Sequence, residues 1–258
     1  MKEAILVVSF GTTHLDTLEK TICAIESDAA NAYPGIPCRR AFTSRIIRRR
    51  LLSQYGMEVL SVADALHRLE EEGFTRVTLQ PTLLIPGEEF DRIREDVLRA
   101  SGEMSVTVGL PLLWDDSDLE TMVDALQEAY PLPEDTVLLA VGHGTSHAAD
   151  GLYIRLQKHM RRRGMDLCTV EGSVDFDSAV NTLLEGTRRK IHLVPLLIVA
   201  GDHAKNDIAG TEPDSLRSRL EEAGFTVSYS LQGLGEIPAV RKAILSRLAA
   251  ARASCKQA

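Results

Sequence analysis

The sequence is poor in aromatic side chains, with a single tryptophan and 5% Phe, Trp and Tyr together. Its few aromatic and Met residues are expected in the core. No apolar stretch reaches the roughly 18 residues that a membrane span needs, so no membrane partner is expected. The four cysteines, Cys23, Cys38, Cys168 and Cys255, are scattered, with no CxxC and no close pair. That argues against an iron–sulfur or structural zinc site and suits a reducing compartment. Neither GxSxG nor a P-loop is present, which speaks against a hydrolase or a phosphoryl-transfer enzyme. Acidic side chains outnumber basic ones 37 to 29, for a net charge of −8. Such a field repels polyanions, so no nucleic-acid partner is expected. Near the N-terminus, Lys2, Glu3, Asp16, Glu19 and Lys20 surround a short apolar run. This reads as a buried strand and a helix rather than a signal peptide, and the expected location is cytoplasmic.

What is present is an internal repeat. Ala4-Ile-Leu-Val-Val-Ser-Phe10-Gly11-Thr12-Thr13-His14 matches Val137-Leu-Leu-Ala-Val-Gly-His143-Gly144-Thr145-Ser146-His147 at an offset of 133. Arg76-Val-Thr-Leu-Gln-Pro81-Thr-Leu-Leu-Ile-Pro-Gly87-Glu88-Glu89 matches Lys190-Ile-His-Leu-Val-Pro195-Leu-Leu-Ile-Val-Ala-Gly201-Asp202-His203 at an offset of 114. Each copy is an apolar run that ends in Gly and a polar residue. The repeat implies two similar lobes with chemistry at matched loop tips.

Short β-branched or leucine-rich runs predict strands over Ala4–Phe10, Arg76–Leu84, Ser105–Leu110, Thr136–Val141, Lys190–Val199 and Phe225–Tyr229. Helical spacing fills the intervals, with Gly73, Gly102, Gly164, Gly186 and Gly224 as helix stops. The alternation predicts an α/β fold of two lobes, each a parallel sheet flanked by helices. The connector Tyr130-Pro-Leu-Pro-Glu134 places the lobes at residues 1–130 and 131–258. The final helix, Ile237–Ala253, could pack on either.

In open parallel sheets, ligands bind beyond the carboxyl ends of the strands. His143, His203, Glu89 and the loop Ser9–Thr13 all follow such an end. His143 and His203 are half of a metal site. Glu171, which follows a short apolar stretch and precedes Gly172, is the best third ligand. Two imidazoles and one carboxylate leave coordination positions open. Glu89 aligns with His203 and is the candidate general base. His14 and His147, one turn further on, are expected in supporting positions, and His67, His159 and His192 in structural ones. The one basic cluster is Arg39, Arg40, Arg45, Arg48, Arg49 and Arg50, either a solvated helix face or a local anchor for an anion.

With these residues in view, the sequence resembles the anaerobic cobalt chelatases of the CbiK type, class II chelatases related in fold to ferrochelatase. The resemblance runs over essentially the whole chain. It rests on Leu6-Val-Val-Ser-Phe-Gly-Thr12, Arg40-Ala-Phe-Thr-Ser44, Pro86-Gly-Glu-Glu89, Gly142-His-Gly144, Val199-Ala-Gly-Asp-His-Ala-Lys-Asn-Asp207 and Gly233-Leu-Gly-Glu236. It implies ATP-independent insertion of Co²⁺ into sirohydrochlorin, on the early-insertion route to cobalamin. Iron or nickel chelation, or a non-catalytic metal or tetrapyrrole carrier, are the alternatives. It further implies His143, Glu171 and His203 as metal ligands, with Glu89 as the catalytic acidic residue. The metal is then a substrate, and no permanently bound cofactor is expected. The eight carboxylates of sirohydrochlorin are expected on Ser9, Phe10, Gly11, Thr12, Thr13, Arg45, Gly144 and Thr145, with Arg48 and Ser146 nearby. Related sequences often carry a histidine just before the Pro-Gly-Glu-Glu motif. Here Thr82-Leu83-Leu84-Ile85 stands instead, so the haem binding associated with such a histidine is not supported by this sequence. A homo-oligomer is compatible with the sequence, which does not specify one.

Overall fold

The predicted alternation of strand and helix occurs twice, in two units with the same topology. A computed structural model describes residues 2–100, 102–201 and 208–254. The strands are β1 (Glu3–Ser9), β2 (Cys38–Phe42), β3 (Arg76–Pro81), β4 (Ser105–Val108), β5 (Thr136–Gly142), β6 (Asp166–Thr169), β7 (Lys190–Pro195) and β8 (Thr226–Tyr229). The helices are α1 (Leu15–Leu18), α2 (Ala24–Ala32), α3 (Arg45–Tyr55), α4 (Val62–Glu71), α5 (Glu88–Ala100), α6 (Asp116–Ala129), α7 (Gly151–Arg162), α8 (Phe176–Glu185), α9 (Leu216–Glu222) and α10 (Pro238–Ser254). A wider π turn over Glu19–Cys23 joins α1 to α2.

The first sheet runs β2-β1-β3-β4 and the second β6-β5-β7-β8, all pairs parallel. Their registers coincide. Ile5 pairs with Thr78 as Leu138 pairs with His192, and Leu79 with Val108 as Leu193 with Tyr229. β3 and β7 both stop at proline, earlier than their apolar runs suggested, because Pro81 and Pro195 have no N–H for the ladder. β2 and β6 were not expected as strands. Both are short edge strands, and β2 carries Arg39 and Arg40 in its middle.

Alternation along β1 sends Ala4, Leu6 and Val8 to one face, where they pack with Val62, Leu66 and Leu69 of α4 and Ile93 and Val97 of α5. Ile5 and Val7 point the other way, toward α2 and α10, which also pack on each other. In the second unit Val137, Leu139 and Val141 meet Phe176, Ala179 and Leu183 of α8 and Leu216 and Leu220 of α9. The opposite face is covered by α7, against which α6 packs.

The units divide as residues 1–114 with 238–258, and 115–237. The connector at Tyr130 is therefore not the boundary, and the expected division at residues 130 and 131 is corrected. The reason is that α6 belongs with α7: Arg155 Nη2 bonds Asp116 at 2.6 Å and His159 Nδ1 lies 2.6 Å from Glu120. Each unit needs a second helix on that face. The second takes α6, the helix immediately before β5. The first begins directly with β1 and takes the last helix instead. Arg252 of α10 donates to Glu3 at 2.9 Å, and Arg241 donates to Asp28 of α2 at 2.7 Å.

Glu3 also accepts from Arg76 at 3.1 Å, and Arg252 followed by Arg76 holds its carboxyl below the ordinary value despite burial. A lowered folded-state pKa stabilises above the ordinary carboxylate range and is lost as the pH falls through it. Glu3→Gln should therefore cost about 1 kcal/mol at pH 7 in urea denaturation, discounted for partial exposure. The deficit should shrink as the pH falls below the ordinary carboxylate value of about 4.3, where the unfolded chain takes up the proton first, and it should vanish below the lowered folded-state value. An equal deficit at pH 3 would remove this clamp.

Candidate functional site

Each unit carries a matched loop at the carboxyl end of its sheet, and the backbone frame is the same in both. In the first, Thr43 and Ser44 donate to the carbonyls of Ser9 and Phe10 at 3.0 and 3.3 Å. In the second, Val170 and Glu171 donate to Gly142 and His143 at 3.1 and 2.8 Å. Thr82 bonds Val8 as Leu196 bonds Val141, both at 2.8 Å. The Thr12 and Thr145 hydroxyls each accept the N–H two residues on, from His14 and His147, at 3.1 Å.

The glycines of these loops have no room for a side chain. Gly11, at φ 103°, would place a Cβ 2.6 Å from the Phe42 ring. Gly144, at φ 79°, would place one 1.6 Å from the Glu171 carbonyl oxygen. The left-handed turn after His143 is thus pressed against the Glu171 backbone, and two of the three expected ligands become backbone neighbours. Both residues are exposed. His143 Nδ1 lies 3.1 Å from the Gly144 carbonyl. A carbonyl only accepts, so Nδ1 carries the proton in this contact and Nε2 presents the lone pair that binds metals.

Two residues below this loop were not expected from the sequence. Asp150, 7% exposed, takes the N–H of Thr145 at 3.4 Å and of Ser173 at 2.8 Å, which joins the His143 loop to the Glu171 loop. Tyr153 packs its ring under Gly142 and accepts the Gly144 N–H, and burial pushes its phenol up to about 12. The first unit has Thr17 and Lys20 at these positions, so the repeat itself marks them as specific to the second unit.

The other expected residues distribute as follows. His203 lies outside the described residues. Among the described residues no group of three or more His, Cys, Asp or Glu side chains is arranged to hold a metal. Glu89 sits in the first turn of α5 with Oε1 2.7 Å from Arg92. Ser9 and Thr12 are buried, at 2% and 4%. The Ser9 hydroxyl accepts from Thr82 at 2.8 Å, so both hydroxyls serve the loop itself. Phe10 is 49% exposed, Arg45 is exposed, and Thr13 and Thr145 are half-buried. His147 caps the turn before α7 by accepting from Ala149 at 3.0 Å. His192 bonds Ser228 and Ser230 and is held neutral by burial, in keeping with a structural role. A separate cavity of about 820 Å³ lies at β2, between Cys23 and Glu26 on one side and Arg68 and Glu72 on the other; Arg39 and Arg40 of the basic cluster line it, and none of the expected metal or catalytic residues does.

Two parallel-sheet units with loops at the strand ends define a chelatase-like α/β fold. The structure described as SirB from Bacillus subtilis with Fe³⁺ superposes with a TM-score of 0.67, covering 100% of this chain and 98% of that one at 15% identity. The chain belongs to the cobalt chelatase (CbiK) family, whose model matches residues 3–253. It is 37% identical over 252 residues to a sirohydrochlorin cobaltochelatase of Salmonella typhimurium, covering 96% of each chain. It is 36% identical over 243 residues to the sirohydrochlorin cobaltochelatase CbiKC of Nitratidesulfovibrio vulgaris, covering 91% of this chain and 85% of that one.

The contact at Gly144 sets a stability test. Gly144→Ala combines a left-handed φ with a clash against backbone and should cost about 3 kcal/mol or more in urea denaturation. Gly56→Ala, at φ 64° with nothing within 4 Å, should cost only about 1 kcal/mol. Equal costs would show that the Glu171 backbone yields freely.

Proposed function

We propose that this protein inserts Co²⁺ into sirohydrochlorin without ATP, early in cobalamin synthesis by the anaerobic route. The observation that carries this reading is the 37% identity to a sirohydrochlorin cobaltochelatase over 96% of both chains. Insertion exchanges two ring N–H protons for one divalent cation, so the charge of the ring–metal unit is conserved only if the protons leave. The residues must hold the metal substrate loosely and accept those protons. His143 through Nε2, Glu171 and His203 are assigned to the metal. Imidazole and carboxylate suit first-row divalent ions, and three protein ligands leave positions open for the ring nitrogens. As the metal departs, an imidazole it leaves can take one proton. Glu89 is assigned the other. Such a ligand set binds Ni²⁺ at least as well as Co²⁺, so metal supply in the cell, rather than affinity, selects cobalt.

An anaerobic absorbance assay with sirohydrochlorin and Co²⁺ tests these roles. His143→Ala and His203→Ala should each lose at least about tenfold in insertion rate, since even groups that only support metal ligands are worth that much. Glu89→Ala should lose insertion while still binding sirohydrochlorin. Wild-type rates in all three variants would remove the proposed site.

A further inference from the structure

The two units part at α3. After β6 the chain passes through residues 170–175 straight into α8; after β2 it first builds α3 and only then α4. The extra helix starts from the site loop of the first unit. Ser44, whose N–H bonds the Phe10 carbonyl, caps it by accepting from Ile47 at 3.4 Å. Ser44 thus occupies the frame position that Glu171 holds in the second unit.

The composition of α3 is one-sided. Among its 11 residues are Arg45, Arg48, Arg49 and Arg50, and it has no acidic residue. Leu51 faces the core, while Arg45, Ile46, Arg49, Arg50 and Leu52 point outward, with Ile46 65% and Leu52 55% exposed. Elsewhere in this unit guanidinium groups have found carboxylates: Arg40 on Glu26, Arg76 and Arg252 on Glu3, Arg241 on Asp28. Among the described residues Arg45, Arg49 and Arg50 form no ion pair and no side-chain hydrogen bond. The Arg48 Nε is buried without a partner, and its charge reaches Asp96 only as a minor opposition to the burial that raises that carboxyl. The chain has 37 acidic and 29 basic side chains, so carboxylates are not in short supply. Four unmatched cations on one helix, interleaved with exposed aliphatic carbon, suit an anion with an apolar body that arrives from outside.

We infer that α3 is a grip for the rim of a polycarboxylate macrocycle, with Arg45 and Arg49 on its carboxylates and Ile46 against the apolar carbon between them. The inference rests on the chelatase reading for its ligand. It makes α3 a determinant of selectivity: a tetrapyrrole rich in carboxylates gains affinity from it, and one with two does not.

Fluorescence titration of the full chain with uroporphyrin (eight carboxylates) and deuteroporphyrin (two) tests this. Arg45→Gln with Arg49→Gln should weaken uroporphyrin binding at least tenfold and flatten its dependence on salt. Deuteroporphyrin binding should change by less than twofold. With sirohydrochlorin and Co²⁺ the loss should appear in KM rather than kcat. Arg94→Gln, an exposed cation on α5, is the control and should leave all of these unchanged. The replaced side chains are exposed, so Tm should hold, and a preserved Tm separates lost binding from lost folding. Unchanged uroporphyrin affinity, equal losses for both porphyrins, or a change only in sedimenting mass would overturn the grip. Cobalt insertion with an unaltered KM in the double variant would sink the grip and keep the chelatase reading. Grip-dependent uroporphyrin binding in a wild type that inserts no metal would do the reverse.

Discussion

The contact on which the candidate site depends is the approach of Gly144 to the backbone carbonyl of Glu171. It requires a left-handed residue without a Cβ immediately after His143. In return it lets the β5 loop and the β6 loop share hydrogen bonds beyond their strands. The proposed ligand pair, His143 and Glu171, is drawn from two loops and is only as well defined as the distance between them. Here that distance is set by main chain, buttressed by the buried Asp150 carboxylate and the Tyr153 hydroxyl. The imidazole and carboxylate remain at the surface, while the groups that hold their backbones are inside.

The same frame in the first unit carries different chemistry. Phe10 stands for His143, Ser44 for Glu171, Thr17 for Asp150 and Lys20 for Tyr153. The hydrogen bonds that shape the loops are nearly identical, because they come from parallel strands of equal register and from glycine and threonine at matched places. Duplicated backbone thus supplies two similarly shaped loops, and divergence of a few side chains gives one of them the imidazole and carboxylate proposed as metal ligands. Where the second unit keeps a short connection, the first adds a whole basic helix. The asymmetry of the protein is concentrated at the strand ends, which is where a parallel sheet leaves loops free to vary without disturbing its core.

Much of this was legible in the sequence, for reasons that particular residues make plain. Central strands and amphipathic helices announce themselves through continuous apolar runs and through glycines such as Gly73 and Gly164 after the last turn. The edge strands β2 and β6 do not, although β4 and β8 at the opposite edges do: Cys38-Arg39-Arg40-Ala41-Phe42 is short and charged, since one side of it meets solvent. The unit boundary was misplaced because amphipathic α6 looks the same whichever sheet it covers, and Tyr130-Pro-Leu-Pro is a better turn signal than the true junction near Trp114. His143 stands out in the sequence through its glycines and its repeat. Asp150 and Tyr153 do not, because their importance lies in what folds against them. Their signal was the repeat read in reverse: polar residues in the second copy where the first has unrelated ones.

Glu89 poses a question of strength. A carboxylate bonded to a guanidinium is a poorer proton acceptor than one in water. Its partner Arg92 is on the same helix, however, three residues on, with side chains 28% and 64% exposed. Pairs of this kind are worth only about 0.3–0.5 kcal/mol, because solvent screens them and holding both side chains costs entropy. A rotamer change therefore releases the Glu89 carboxylate from Arg92 at little cost. For the proposed reaction, which sheds two protons per metal inserted, a weakly tethered and partly exposed carboxylate is better suited than a fully buried one, whose proton would be held by desolvation.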